Sequence, residues 1–208
     1  MTRVSAHGPA LFYPIVPDVA WLERLVPLGI KTVQLRLKDL PAADVQGQIA
    51  EAIVICSAHD CDLIVNDHWQ AAIAAGAKFI HLGQEDLAAA DLQMIRNAGL
   101  QVGISTHSEQ ELETALAAEP YYVALGPIYE TKLKAMHWAP QGLDRLAAWK
   151  RRIGALPLVA IGGITPERAG GVVAAGADSV AVITDVLTAP HPEARVSLWL
   201  DWAHSHRR

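Results

Sequence analysis

Cysteine is scarce in this chain of 208 residues, which contains only Cys56 and Cys61. A small disulfide-stabilised scaffold needs several cysteine pairs, and a Cys-x4-Cys spacing without companion ligands is not a metal-site pattern. We expect both residues to pack as small apolar side chains at a junction between a helix and a strand. Free thiols of this kind fit a reducing cytoplasm, which is the predicted location.

The sequence also lacks an extended basic run and a long apolar run. Its formal net charge is −5, so a broad positive face for nucleic acid is not expected, although a local anion-binding cavity is compatible with this charge. No apolar stretch approaches the roughly 20 residues that cross a bilayer. Residues 1–10 have no apolar core of the kind a signal peptide needs. The chain is therefore predicted to bind neither nucleic acid nor a membrane.

The residues that are present indicate a globular protein with alternating strands and helices. Hydrophobic residues make up 51% of the chain and charged residues 19%, which suits one domain with a large core. Most of the short β-branched runs lack polar alternation, as expected for parallel strands buried on both faces. The predicted strands are Leu11–Val16, Thr32–Leu37, Asp62–Val65, Phe79–Leu82, Gln101–Ser105, Tyr122–Leu125, Leu158–Ile161 and Ser179–Ile183.

Eight strand–helix units predict a closed (β/α)8 TIM barrel. The alternative is an open doubly wound sheet, but the count of eight and the lack of an early Gly-x-Gly-x-x-Gly favour the barrel. The helices are amphipathic, and in segment 18–28 one face carries Val19, Leu22, Leu25 and Val26. We expect one domain over residues 1–208, with residues 1–10 as a flexible N-terminal extension. Whether the barrel forms a homo-oligomer stays open.

Polar residues gather where the apolar runs end, which is where the active site of such a barrel lies. In the second strand, Gln34, Arg36 and Lys38 alternate with leucines and should therefore face one side. Three inward polar side chains would be costly in a dry core. They form either a satisfied polar plug or an anion site, in which arginine offers a planar fork and lysine a compact charge. We favour the anion site.

Two carboxylates follow neighbouring strands and should project over the same mouth. Asp67 follows the third predicted strand and Asp86 the fourth. Mg2+ takes one or two carboxylates together with phosphate oxygens. The alternative is that each aspartate only caps the next helix. Because the basic residues of the second strand should face the same mouth, we favour a Mg2+ site.

The last two predicted strands end in a pattern that suits a phosphate. Gly162-Gly163 follows the seventh strand and Ile183-Thr184 ends the eighth, and backbone N–H groups there can point at phosphate oxygens. The glycine pair could instead serve only close packing of the backbone. Segment 126–142 is long for a connection between a strand and a helix, so it is predicted to be a lid or binding loop, with a disordered linker as the alternative.

Histidines and nucleophiles give no catalytic pattern. His81 and His107 also lie at strand ends, but single histidines there are more often packing or hydrogen-bonding residues. No histidine set has metal-ligand spacing, and no Cys–His or Ser–His–Asp pattern indicates a covalent nucleophile. We assign neither histidine a catalytic role.

These strand-end motifs resemble those of the thiamine phosphate synthase family, and the likeness extends from about Tyr13 to Ala189. The matching segments are Gln34-Leu35-Arg36-Leu37-Lys38, Val65-Asn66-Asp67, His81-Leu82-Gly83-Gln84-Glu85-Asp86-Leu87, Gly103-Ile104-Ser105-Thr106-His107 and Ala160-Ile161-Gly162-Gly163-Ile164. The resemblance implies a Mg2+-dependent transferase. It would join 4-amino-2-methyl-5-(diphosphomethyl)pyrimidine to 4-methyl-5-(2-phosphoethyl)thiazole, releasing diphosphate.

The resemblance also implies a role for each matching residue. Residues that match diphosphate-binding positions are Arg36, Lys38, Asn66 and Lys134, the last of them in the family's mobile loop. Asp67 and Asp86 match the Mg2+ ligands, and Gln34 and Ser105 match positions that contact the pyrimidine. The positions that match the thiazole-phosphate site are Gly163, Ile183 and Thr184, and Thr131 is a further substrate-binding position retained in the loop. Of these residues, the implied catalytic group is Arg36, Lys38, Ser105 and Lys134.

One segment departs from the family pattern. The family loop reads Pro-Thr-x-Thr-Lys, whereas this chain reads Glu130-Thr131-Lys132-Leu133-Lys134, so Leu133 replaces a threonine that would contact the thiazole phosphate. Glu130 in place of proline is similar to the related thiazole tautomerases, which are the first alternative function. The second alternative is a non-catalytic thiamine-phosphate binding protein. A tautomerase needs no diphosphate site, so the intact basic and acidic residues favour the synthase.

Overall fold

The computed structural model describes residues 8–38, 40–131 and 138–206. Within these ranges eight parallel strands hydrogen-bond in chain order, and the last strand pairs with the first, so the sheet is a closed barrel. Helices follow the strands and cover the outside of the barrel. The predicted (β/α)8 TIM barrel is confirmed.

Strand bounds agree with the sequence-based bounds to within two residues. The strands are β1 (Phe12–Val16), β2 (Thr32–Leu35), β3 (Asp62–Asn66), β4 (Phe79–Leu82), β5 (Gln101–Thr106), β6 (Tyr122–Leu125), β7 (Leu158–Ile161) and β8 (Ser179–Val182). The largest difference is in β2, which was predicted to run to Leu37 but ends at Leu35. Alternation of polar and apolar residues continues past the end of that strand, so the pattern alone overestimates its length.

The helices are interspersed with the strands in the order expected of the barrel. They are α1 (Val19–Leu25), α2 (Ala42–Ala58), α3 (Trp69–Ala75), α4 (Gln84–Ala89), α5 (Leu92–Asn97), α6 (Glu109–Ala117), α7 (Gly142–Ile153), α8 (Pro166–Ala174), α9 (Thr184–Leu187) and α10 (Pro192–Ser205). No helix among the described residues is long and apolar enough to cross a membrane.

The first helix shows how local sequence sets these elements. Asp18 caps α1, because its side-chain oxygen accepts a hydrogen bond from Trp21 N at 3.0 Å. A 3-10 turn over Val26–Leu28 continues the helix, and Gly29 ends it with a φ of 105°, a conformation that glycine adopts without a Cβ penalty. The predicted apolar face is confirmed: Val19, Leu22, Leu25 and Val26 are all buried.

The buried residues form two layers. The outer layer lies between the strands and the helices, and it includes Cys56 and Cys61, which are free and buried near the junction of α2 and β3, as predicted. The inner layer fills the barrel and consists of Tyr13, Ile15, Ile64, Phe79, Tyr122, Ala124, Val159 and Ala181. Tyr13 and Tyr122 are the large polar members of this inner layer, and both are at most 1% exposed.

The amino-terminal end of the barrel is tied to the start of the described chain. Ala10 N donates to Thr32 Oγ1 at 2.9 Å, and Ser179 Oγ donates to Ala10 O at 2.6 Å. Residues 8–10 therefore pack against β2 and β8. The remainder of the predicted N-terminal extension, residues 1–7, lies outside the described residues.

Gly103 in β5 makes room for the ring of Tyr122. In the register of the sheet Gly103 lies between His81 of β4 and Tyr122 of β6. A Cβ at position 103 would overlap the ring and the hydroxyl of Tyr122. Because protein interiors are close-packed, such an overlap can be relieved only by moving the ring or the strands.

We predict that Gly103→Ala lowers the free energy of unfolding by about 3 kcal/mol, the upper part of the range for overpacking a core. Gly47→Ala is the matched control, since Gly47 is exposed within α2 and a Cβ there would meet no neighbour. The control should raise stability by about 0.5–1 kcal/mol through helix propensity. Urea unfolding of both variants measures this, and an equal effect of the two substitutions would contradict the assigned role of Gly103.

Candidate active site

A cavity of about 620 Å3 opens at the carboxyl ends of the strands. It is lined by all the predicted site residues that the structure describes: Gln34, Arg36, Lys38, Asn66, Asp67, Asp86, Ser105, Thr131, Gly163, Ile183 and Thr184. Lys134, together with Lys132 and Leu133, lies outside the described residues. The barrel therefore brings the described candidates to one mouth, as the positions of the strand ends predicted.

The polar residues of the second predicted strand divide between the barrel interior and the mouth. Gln34 lies within β2 and is 2% exposed, whereas Arg36 and Lys38 follow the end of the strand and are exposed. All three line the cavity and so face one side, as the alternation predicted, but Arg36 and Lys38 do so from beyond the end of β2. Lys38 Nζ lies 3.3 Å from Asp67 Oδ2, so cation and carboxylate meet at the mouth.

Asp67 is held in an unusual backbone conformation. Its φ is 61°, a left-handed value that is uncommon for a residue other than glycine and that often marks functional sites. Its N–H donates to His81 O at 2.9 Å, and the N–H groups of His68 and Trp69 close the turn onto Asn66 O and Asp67 O. These bonds fix the turn after β3 so that the Asp67 carboxylate lines the mouth.

The two aspartates face each other and do not cap helices. The residues at the cap positions are His68 for α3 and Gly83 for α4, and neither helix has a side-chain cap. The capping alternative for Asp67 and Asp86 is therefore wrong. Burial raises the pKa of Asp86, and the charge of Asp67 and a hydrogen bond with it raise that pKa further. A carboxylate whose charged form is destabilised by a neighbouring carboxylate fits a divalent cation between the two.

Among the described residues no group of three or more histidine, cysteine, aspartate or glutamate side chains could hold a metal ion. A cation at Asp67 and Asp86 would therefore need oxygen ligands from elsewhere. Mg2+ commonly takes one or two carboxylates and completes its shell with water and substrate phosphates. The pair suits that mode of binding better than it suits a closed structural metal site.

Asn66 adds an unpaired donor to the same side of the mouth. It is 5% exposed, and its Nδ2 is the buried side-chain nitrogen that lacks a hydrogen-bond partner within the described part of the chain. An unpaired buried amide donor costs free energy. An anion bound in the cavity would satisfy it.

The glycine pair after β7 allows a close approach of the neighbouring loop. Gly162 and Gly163 have φ values of 100° and 64°, and a Cβ on Gly162 would lie 2.6 Å from Pro127 Cα. Ile128 N and Tyr129 N donate to Ile161 O and Gly162 O. The close-packing alternative for the glycine pair is thus supported by these contacts.

The backbone nevertheless leaves donors for a ligand on this side of the mouth. In the described ranges, no protein acceptor takes a hydrogen bond from the N–H of Gly163 or of Thr184. Both residues line the cavity. Packing of the glycine pair and donation to a bound anion are therefore compatible in this geometry.

A chain of hydrogen bonds crosses the floor of the cavity. Gln34 Nε2 donates to Tyr13 OH at 2.7 Å, and Tyr13 OH lies 2.9 Å from Tyr122 OH. His81 connects the chain to the far side, since its Nδ1 is 2.8 Å from Tyr122 OH and its Nε2 is 2.8 Å from Ser105 Oγ. Two predicted site residues, Gln34 and Ser105, are thus linked through three side chains.

The groups in this chain are uncharged at neutral pH. Burial lowers the pKa of His81 to about 4, against a smaller opposing effect of the Asp67 charge. Burial also raises the pKa of Tyr13 and of Tyr122 well above the usual value for a phenol. His81 is therefore a neutral, buried hydrogen-bonding residue at neutral pH.

His107 likewise serves packing and hydrogen bonding. Its backbone N–H and its Nδ1 both lie within 2.9 Å of Glu111 Oε2. Its ring stacks on Trp138 at 5.4 Å with an interplanar angle of 8°. The described end of the 126–142 loop is therefore placed against the rim of the cavity.

Arg168 is a cavity residue that the sequence analysis missed. Its guanidinium lies 4.8 Å from the ring centroid of Tyr129, and its Nη1 donates to Gly163 O at 2.8 Å. It lies in the first turn of α8, next to the glycine pair. The signal in the sequence was the helix start at Thr165-Pro166, because the first turn after a barrel strand borders the mouth.

Asp185 lines the cavity, but its carboxylate accepts hydrogen bonds from two side chains of α10. Arg195 Nε and Nη2 donate to its two oxygens at 2.8 and 2.6 Å, and Trp199 Nε1 donates at 2.7 Å. The ion pair raises the pKa of Arg195. These bonds fasten α10 to α9, the short helix that follows β8.

Comparisons with known proteins agree on one family. A family model described as thiamine monophosphate synthase matches residues 12–186. The thiamine-phosphate synthase of Rhizobium etli is 60% identical over 189 residues, 91% of this chain and 93% of that protein. The thiamine-phosphate synthase of Neisseria meningitidis serogroup A is 45% identical over 203 residues, 96% of this chain and 99% of that protein.

A solved structure shows the same fold. Thiamine phosphate pyrophosphorylase from Pyrococcus furiosus superposes with a TM-score of 0.83 at 22% identity. The superposition covers 96% of this chain and 98% of that one. At this level of identity the likeness supports the barrel and its topology.

We predict that Asp185→Asn lowers the free energy of unfolding by about 2 kcal/mol, less than for a fully buried pair because Arg195 is 23% exposed. The matched control is Glu193→Gln, which removes the exposed partner of Arg24 and should leave stability unchanged within error. Urea unfolding compares the two. Equal stability of both variants would contradict a structural role for the Asp185 carboxylate.

Proposed function

Because the chain belongs to the thiamine monophosphate synthase family, we propose that its barrel mouth catalyses the formation of thiamine phosphate. The substrates are 4-amino-2-methyl-5-(diphosphomethyl)pyrimidine and 4-methyl-5-(2-phosphoethyl)thiazole, and diphosphate is released. The observation that supports this proposal is that the cavity has two halves suited to anions: Arg36, Lys38 and the unpaired Asn66 donor lie beside β2, β3 and β4, and backbone donors with Arg168 lie beside β7 and β8.

The first half suits a diphosphate. Arg36 and Lys38 supply positive charge at the end of β2, and Asn66 supplies a buried donor without a protein partner in the described chain. Asp67 and Asp86 would hold Mg2+, which supplies positive charge to the diphosphate oxygens when it is bound. Lys134 is part of the proposal through its position in the family motif, although it lies outside the described residues.

The chemical step is a substitution at the exocyclic carbon of the pyrimidine. The C–O bond to diphosphate breaks with its electron pair staying on the diphosphate, and the thiazole nitrogen forms the new C–N bond. Arg36, Lys38 and Lys134 stabilise the negative charge that develops on the departing group. Fixed charges that act most strongly on the transition state are an effective source of catalysis.

The other residues at the mouth would orient the pyrimidine ring and the thiazole phosphate. Gln34 and Ser105 face the mouth from opposite ends of the hydrogen-bonded floor and would contact the pyrimidine. The thiazole phosphate would bind the N–H groups of Gly163 and Thr184 on the other side, next to Ile183 and Thr131. Arg168 adds a guanidinium to that half, and among the described residues Gly163 O is the only acceptor of an Arg168 hydrogen bond.

The proposed activity is tested by incubating the purified protein with both substrates and Mg2+ and measuring thiamine phosphate and diphosphate. The wild type should form both products in equal amounts. Asp67→Asn and Asp86→Asn should each lower turnover and raise the Mg2+ concentration needed for half-maximal rate, because a weakened site can still fill by mass action.

Absence of thiamine phosphate with the folded wild type would overturn the proposed activity. If the thiazole alone is converted to an isomer, the tautomerase is the correct alternative, and if both substrates bind without turnover, the binding protein is. Wild-type Mg2+ dependence in both aspartate variants would instead overturn only the metal assignment.

We predict that Arg168→Met raises KM for the thiazole phosphate by tenfold or more, since a hydrogen bond to a charged group contributes about 1.5–3 kcal/mol and about 1.4 kcal/mol is tenfold. KM for the pyrimidine diphosphate should stay unchanged. Arg24→Met is the matched control, because Arg24 also stacks on an aromatic ring, that of Trp21 at 4.4 Å, but does not line the cavity.

Steady-state kinetics with each substrate varied in turn measures the effect. An equal rise of both KM values, or the same result for Arg24→Met, would contradict a thiazole-phosphate contact of Arg168.

A further inference from the structure

We propose that Tyr13, Tyr122 and His81 are positioning residues that fix which atoms Gln34 and Ser105 present to the substrate. This inference rests on the proposed function, because it assumes that a pyrimidine lies on the cavity floor. It concerns the direction of the hydrogen bonds in the floor chain, which consists of the side chains of Gln34, Tyr13, Tyr122, His81 and Ser105. That direction is set by how many protons these five side chains carry.

The direction of the hydrogen bonds in the floor chain is set at Gln34. Gln34 Nε2 donates to Tyr13 OH, so the Tyr13 oxygen is an acceptor there and its own proton must go elsewhere. Tyr122 OH is the other described partner of Tyr13 OH, at 2.9 Å. Because Tyr13 is 1% exposed, a proton without a partner would be costly. Tyr13 therefore donates to Tyr122.

The direction at Tyr13 fixes the direction of the remaining hydrogen bonds as far as Ser105. Tyr122 accepts from Tyr13, so its proton goes to His81 Nδ1, at 2.8 Å. A neutral imidazole that accepts at Nδ1 carries its proton at Nε2. That N–H donates to Ser105 Oγ, at 2.8 Å. The Ser105 hydroxyl proton is consequently left for a ligand.

With Gln34 Nε2 as the donor to Tyr13, every other proton arrangement leaves an unpaired group in the floor chain. If both nitrogens of His81 carried protons, both ends of the tyrosine pair would receive a donor, and one tyrosine proton would have no acceptor. If His81 carried its proton at Nδ1 alone, Tyr13 and Tyr122 would each receive a hydrogen bond from outside the pair, and one of the two phenol protons would again have no acceptor. One direction satisfies every member.

The consequence is a fixed pattern at the mouth. With Nε2 used by Tyr13, Gln34 presents its carbonyl oxygen, an acceptor, and Ser105 presents its hydroxyl proton, a donor. A 4-aminopyrimidine offers an amino donor and ring-nitrogen acceptors, which complement this pattern. A 4-oxopyrimidine offers a carbonyl in place of the amino group, and that carbonyl would face the Gln34 oxygen. The floor chain therefore selects the aminopyrimidine.

The His81 tautomer can be measured without any substrate. In wild-type protein labelled with 15N-histidine, the His81 signals, assigned by their loss in His81→Gln, should show a proton on Nε2 and none on Nδ1 at neutral pH. A proton on Nδ1, or on both nitrogens, would overturn the inferred direction. This readout is independent of catalysis, so it stands whether or not the proposed function holds.

The effect on specificity is measured with Tyr122→Phe, which removes the hydroxyl in the middle of the floor chain and keeps the ring. We expect KM for the pyrimidine diphosphate to rise about tenfold, the loss expected for one hydrogen bond of about 1.4 kcal/mol. KM for the thiazole phosphate should stay unchanged. The preference for the amino compound over its 4-oxo analogue, measured by inhibition, should fall by a similar factor.

Tyr121→Phe is the matched control, since Tyr121 packs on Phe79 and makes an edge contact with the ring of Tyr122 but does not belong to the floor chain. It should keep the wild-type preference. If Tyr122→Phe retains that preference while thiamine phosphate is still formed, the positioning role is overturned and the proposed function stands. Should Tyr122→Phe fail to fold, the tautomer measured in the wild type decides the question.

Discussion

Pairing of β8 with β1 closes the sheet, and everything at the mouth depends on that closure. A closed parallel barrel has no free edge, and it places the carboxyl ends of all its strands around one opening. Residues that are far apart in the chain, such as Gln34 and Thr184, thereby become neighbours of one cavity. The backbone hydrogen bonds of the strands supply this geometry.

The barrel interior separates two kinds of polar group. Its floor consists of neutral groups whose hydrogen bonds satisfy one another, which a low-dielectric interior tolerates. The charged groups, Arg36, Lys38, Asp67 and Asp86, lie above it where water and ligands reach them. Gly103 permits this arrangement of the floor, because the absence of a side chain there leaves room for the ring of Tyr122 to stack on His81. A substrate bound between the floor and the charged groups would contact neutral groups with its ring and charged groups with its phosphate.

Much of the fold and the mouth could be predicted from the sequence, for a physical reason. Strands buried on both faces give continuous apolar runs, and a polar residue that ends such a run must lie at a strand end. That reasoning located Asp67 and Asp86. It could not identify side-chain contacts that depend on strand register, such as the hydrogen bond between Tyr13 and Tyr122 across the barrel. In the sequence both tyrosines look like ordinary residues of buried strands. It also extended β2 too far, because the alternation of Arg36 and Lys38 with leucines continues after the strand has ended.

The distribution of charge around the cavity determines which side each of the two substrates would occupy in the proposed reaction. Both carry phosphate, so positive charge alone would not tell them apart. The carboxylates of Asp67 and Asp86 repel any phosphate that approaches without a divalent cation, and a diphosphate binds such a cation more readily than a monoester because it offers oxygens from two phosphoryl groups. The half beside β7 and β8 offers backbone N–H groups and Arg168, while the Asp185 carboxylate there is paired with Arg195. A monoester therefore meets less repulsion at Gly163 and Thr184, and each phosphate is directed to its own side before the reaction begins.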